Sequence, residues 1–261
     1  GAVSSPMPSP VQSYTLPAAA NQEMVKGILW GNANSSSQST TDWHLDDYWQ
    51  QASDGKTSAP FLAGKVVGPY TLGSNYATCD TNAIRNAAIA AADNDVNFQN
   101  HSRIIIVMPN NAACGIGYGS IGCWSNSSND GSFNASLQWD RADYMSDRSN
   151  GTRLTSHEGG HNLGLHHADS RDFGAEALGA LGAAGTVQEY NDFFSMMGYQ
   201  SSEIWGLYST QHQVQNLGWF ASGVNYRTVE TSGTHTIENY ETRPAGALPK
   251  ALKIRRGTGN D

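Results

Sequence analysis

Basic residues are scarce in this chain. Lysine and arginine number 15 against 23 aspartates and glutamates, leaving a net charge of −8 over 261 residues. No run of Lys or Arg makes a patch or stripe, which removes the electrostatic footing of a nucleic-acid partner. Long apolar runs are missing as well: nothing approaches the roughly 18 residues of a membrane-spanning helix. Charged residues make up only 15% of the chain, and Ser, Thr, Asn and Gly fill the difference. That balance is common in exported proteins. Asn-x-Ser/Thr sequons at Asn34, Asn100, Asn126, Asn134 and Asn150 agree with export, although a Ser-rich chain also produces them by chance. Nothing at the start reads as a signal peptide, so an exported protein would here be in processed or trimmed form. Cysteine is sparse: Cys79, Cys114 and Cys123 allow one bridge and a leftover thiol. Cys114 with Cys123, flanking a Gly-rich segment, is the preferred pair, and Cys79 with either is the rival. The length suits one large domain or two small ones, and oligomeric state is not legible.

In chain order, residues 1–20 are rich in Pro, Ser and Ala and read as an extended tail. Residues 24–30 read as a first strand and 61–72 as a second, interrupted by Gly64 and Gly68. Residues 42–49 have helical spacing. Asp80 or Thr81 can cap a helix whose apolar stripe is Ile84, Ala87, Ala88 and Ala91. Residues 103–108 form a buried strand, and 133–139 another. Residues 126–134, with a turn at Asp130-Gly131, are a candidate calcium loop; a plain turn is the competing reading. A Gly/Ala-rich loop at 169–187 leaves room for a short helix at 175–181. Residues 210–217 read as a short helix ended by Gly218. Strands follow at 226–230, 234–238 and 251–254, as though a β-rich unit were cut short.

The strongest pattern is His157-Glu158-Gly159-Gly160-His161-Asn162-Leu163-Gly164-Leu165-His166-His167. It contains HExxH and its extension HExxHxxGxxH. On a helix, His157 and His161 project from one face and can close on one Zn²⁺. Glu158 stands about 100° round the helix, beside the metal, where a carboxylate can handle a metal-activated water. A third ligand at His167 cannot come from the same face, so the chain must turn back, and Gly164 takes the required left-handed conformation without a Cβ penalty. Three histidines leave the fourth position open, as a catalytic zinc requires. His166 is off the register and reads as a neighbouring or surface histidine.

This stretch resembles the zinc signature of the metzincin clan, in the form used by the gametolysin family of secreted zinc endopeptidases. Weaker resemblances lie at Tyr48–Lys56 with Gly64–Leu72, at Glu189–Gly198, at Leu217-Gly218-Trp219 and in the final strands. The resemblance implies an α/β (α+β) fold: a twisted, five-stranded mixed sheet with a backing helix and the zinc helix, then an irregular lower subdomain. It implies a domain over 21–222, passing from upper to lower part near residue 164, and a β-rich segment over 223–261. It makes Met197 the Met-turn residue beneath the zinc. Tyr199, two residues on, is a candidate transition-state stabiliser. An edge strand within 115–124 would pair with an extended substrate. Asp169 and Asp192 are candidates to orient a histidine, with plain solvent-facing acids as the equal reading. Gly159 departs from the family pattern, where a bulky apolar residue is usual. The expected activity is hydrolysis of protein or peptide substrates, with Glu158 as general base. The alternative is a catalytically silent zinc-bearing extracellular module.

Overall fold

The computed structural model describes residues 14–31, 44–57, 64–74, 76–110, 113–199, 206–242 and 246–255. Its first element corrects the sequence reading. Residues 24–30 belong to a helix, α1 (Gln22–Trp30), not a strand. A short apolar run does not declare its period, but its context does. The Asn21 side chain accepts from Met24 N–H, and Val25, Ile28 and Leu29 bury one face. Helix α2 (Leu45–Ser53) buries Leu45, Tyr48, Trp49 and Ala52; Trp43, expected beside them, lies outside the described residues. Helix α3 (Thr81–Ala92) starts at Asp80, whose carboxylate accepts from Ala83 N–H. Its buried face is Ile84, Ile89 and Ala92, turned from the expected stripe because isoleucine buries more surface than the alanines beside it.

The sheet has four strands among the described residues: β1 (Arg103–Met108), β2 (Gly117–Gly119), β3 (Trp124–Ser128) and β4 (Gly131–Arg141). β4 is central. β1 runs parallel to it, while β2 and β3 pair antiparallel with different parts of its other edge. The mixed sheet with helices is as expected; the count of five is not. Residues 64–72 pair with no strand, although Val66 and Val67 pack on the core, and 61–63 are not described. The 126–134 segment is a hairpin, with Ser128 opposite Gly131 and the Asn129 N–H donating to the Asp93 carboxylate.

The zinc-motif helix is α4 (Arg148–Asn162), capped by Asp147. It packs between the sheet and a core that includes Ile28, Trp49, Met145, Met197 and Tyr208. Each fully buried large apolar side chain there contributes about 1.5–3 kcal/mol. Strands β5 (Ser170–Asp172) and β6 (Thr186–Gln188) then form an antiparallel ribbon. The helix expected at 175–181 does not form; the stretch is a loop flanked by Gly174, Gly182 and Gly185, all with positive φ. A π-helical turn at His212–Asn216 follows, and Gly218 ends it. β7 (Tyr226–Val229) and β8 (Ala251–Ile254) pair in parallel, and residues 234–238 form no strand.

The disulfide joins Cys79 to Cys114, with Cα atoms 5.1 Å apart, so the preferred Cys114–Cys123 pairing is overturned in favour of one of its rivals. Cys114 points inward among Ile84, Leu137 and Trp139, with Cys79 packed against the same cluster, whereas Cys123 is exposed and free.

Candidate metal centre

Helix α4 carries little of the apolar periodicity that usually fixes a helix face. Apart from Leu154, its inward positions are small or polar: Gly151, Thr152, Thr155, Ser156, Gly159 and Gly160 are all buried. They let neighbours approach closely. A Cβ at Gly159 would lie 2.7 Å from the Trp49 ring, and one at Gly160 would lie 2.2 Å from Met197 Sδ. The glycine pair that weakens the helix intrinsically is therefore what seats it.

His157 and His161 share one face of α4, their ring centroids 5.1 Å apart. The helix stops at Gly164, which has φ +91°, and Gly164 N–H donates to His161 O at 2.8 Å. The reversal carries His167 back, to 5.6 Å from the His157 ring and 5.0 Å from the His161 ring. One nitrogen from each of the three rings falls within 4.8 Å of the others, and this is the one metal-competent group of His, Cys, Asp or Glu among the described residues.

The other nitrogens are all engaged. His157 Nδ1 lies 2.8 Å from Met196 O, His161 Nδ1 lies 2.8 Å from Leu165 O, and His167 Nδ1 lies 2.7 Å from Glu189 Oε1. Carbonyl and carboxylate oxygens only accept, so each Nδ1 carries the hydrogen and each Nε2 keeps its lone pair. Burial pushes the His157 pKa down to about 4 and lowers that of His161. Both rings are thus neutral at neutral pH, the form that binds a metal. The donor set fits a zinc with three imidazoles and an open position.

Glu158 is buried between α4 and the sheet. Burial, and then the charge of Asp140, hold its carboxyl well above the usual carboxylate range. Asp140, on β4, is fully buried; desolvation raises it to about 8, and its Oδ1 has no hydrogen-bond partner among the described residues. Strand β2 lies close against Glu158, whose backbone carbonyl faces Gly119 and whose carboxyl faces Gly117. A Cβ at Gly117 would be 2.5 Å from Glu158 Oε1, and one at Gly119 would be 2.5 Å from Glu158 O.

The turn after the ribbon closes the site from below. Met196 supplies the carbonyl for His157, Met197 packs under Gly160, and Met197 O accepts from Ala168 N–H at 2.9 Å. Neither aspartate proposed to orient a histidine does so. Asp169 accepts from Tyr190 N–H and Asp192 from Phe194 N–H. Tyr199 is largely exposed, its ring edge-on to Phe193 at 6.2 Å. The tyrosine lying on the histidines is Tyr190, 3.7 Å from the His167 centroid. Sequence reasoning missed Glu189, Tyr190, Asp140 and the Gly117/Gly119 pair. Only the alternation of glycines at 117 and 119 offered a signal.

Residues 69–168 match the model of the reprolysin-like metallo-peptidase family M12B. No curated protein and no solved structure matches the chain. The match covers well under half of the sequence and ends just past His167. Together with the three-histidine group at the end of that stretch, it supports a zinc metallopeptidase of metzincin type.

Proposed function

We propose that the chain is a secreted, zinc-dependent endopeptidase in which His157, His161 and His167 hold the metal and Glu158 is the general base. The observation that carries this reading is the outward anchoring of all three Nδ1–H groups, which leaves three Nε2 lone pairs converging beside a buried carboxyl. Zinc, when bound, polarises a carbonyl and brings the pKa of a water toward about 7. Glu158 takes a proton from water at its carboxylate oxygen and returns it to the leaving amine. Burial raises the Glu158 carboxyl in the metal-free protein; the charge of a bound zinc would favour the carboxylate form that the base requires. Met197 fills the floor beneath the histidine helix. Strand β2 is at the sheet edge, with Tyr118 exposed on it and Ile116 and Ile121 exposed on its flanks, so an extended peptide can add as a further strand. A role for Tyr199 at the developing oxyanion requires its ring to leave Phe193.

The finer, gametolysin-like assignment rests on the stretches outside the matched segment, notably Glu189–Gly198. Secretion rests on the disulfide and the low basic content. The deciding experiment compares zinc content and casein cleavage for the wild type and Glu158→Gln. We expect one zinc in both and cleavage by the wild type alone. Zinc in both with cleavage by neither would replace this reading with a non-catalytic zinc module.

A further inference from the structure

The three ligand histidines are not held alike. His157 and His161 sit on a packed helix and donate to backbone carbonyls. His167 sits on the chain after the helix has ended, and its anchor is a side chain, Glu189, at 2.7 Å. The next residue covers the same ring: Tyr190 lies 3.7 Å from the His167 centroid, tilted by 31°, and is nearly parallel to His157 at 6.0 Å. Tyr190 has φ +61°, a left-handed conformation that a tyrosine rarely adopts. Two hydrogen bonds hold it there: Tyr190 N–H donates to Asp169 Oδ1 at 3.0 Å, and Tyr190 O accepts from Tyr199 N–H at 2.6 Å. The turn therefore presents a carboxylate to the edge of His167 and an aromatic face to its plane.

We propose that Glu189 and Tyr190 form a clamp on the third ligand, with Glu189 as the positioning residue that fixes the tautomer and direction of His167, and Tyr190 as the ring that keeps it from rotating. The proposal rests on the zinc reading above. The Glu189 side chain is 66% exposed, so its bond adds little to folding stability. Its effect is on the ligand, because a loop-borne imidazole without an anchor loses its direction. The carboxylate also makes His167 the most electron-rich of the three donors, which backbone carbonyls do not do for the others.

The test measures zinc affinity by chelator competition, the spectrum of the cobalt(II)-substituted protein and the melting temperature of the zinc-free protein. Variants are Glu189→Ala, Glu189→Gln and Tyr190→Phe. Glu189→Ala is expected to weaken zinc binding about 10- to 100-fold and alter the cobalt bands, with the zinc-free melting temperature unchanged. Glu189→Gln, which keeps an acceptor but loses the charge, is expected to recover part of that loss. Tyr190→Phe, which keeps the ring, is expected to bind as the wild type does. Unchanged affinity in Glu189→Ala overturns the proposal, as does a loss of affinity matched by a fall in the zinc-free melting temperature. A wild type that holds no zinc, or holds it as well after His161→Ala, fails the metal reading itself and removes the clamp with it.

Discussion

Among the glycines of α4, Gly160 meets the closest neighbour. Its missing Cβ would stand 2.2 Å from Met197 Sδ and 2.9 Å from the Tyr208 ring. Neither neighbour has room to withdraw. Met197 is fully buried, and the Tyr208 hydroxyl donates to Ser156 O while accepting from the Trp49 indole. Alanine would gain about 1 kcal/mol of helix propensity, but overpacking a tight core typically costs about 1–3 kcal/mol. We expect Gly160→Ala to lower the stability of the zinc-free protein by up to about 2 kcal/mol, read as a lower urea midpoint at unchanged slope. A higher midpoint would show that Met197 can repack.

Helix α4 carries two of the three histidines of the metal-competent group, and it forms through its cap and its packing rather than through propensity. Asp147 accepts from Asn150 N–H at 2.8 Å. Replacing it by alanine is expected to cost about 1 kcal/mol in thermal unfolding. Zinc affinity is expected to stay constant, since the cap lies about 15 Å along the axis from His157. Constraints confined to one helical turn and its stop were legible in the sequence: the His157/His161 spacing, Gly164 and Asp80 as a cap all lie where the local chemistry puts them. Constraints that depend on distant partners were not. Glu189 meets His167 across 22 residues, and no local pattern couples them. Residues 24–30 look strand-like only as a short apolar run; Met24, Val25, Ile28 and Leu29 lie at helical spacing and Asn21 supplies the cap. Cys114 pairs with Cys79 across a separation of 35 because burial, not proximity in sequence, selects its partner.

For the molecule as a whole, the buried carboxyls set the direction of the pH response. Asp140 has its pKa raised from 3.8 to about 8, so the folded state keeps a proton that the unfolded chain gives up. That contribution is complete below about pH 4 and is lost as pH rises toward 8, by at most about 1.4 kcal/mol per pH unit. Glu158 is raised too and acts in the same direction. His157, lowered from 6.5 to about 4, acts oppositely, with stability rising between those values. Above pH 6.5 the histidine contribution is flat and the carboxyls dominate. Thermal melts of zinc-free protein between pH 6.5 and 8 are expected to show falling stability, with a shallower fall in Asp140→Asn; equal slopes would refute the assignment. The backbone contact between β2 and Glu158 has a different kind of consequence. A peptide laid along β2 would take its distance from the metal from main-chain atoms alone. Position 119 admits no side chain without parting strand from helix, and one at 117 would have to displace the Glu158 carboxyl and Leu154, so substitution along this strand has least cost at Tyr118. Changes in what the site accepts would therefore have to arise in the surrounding loops, while the reach from bound chain to metal stays constant.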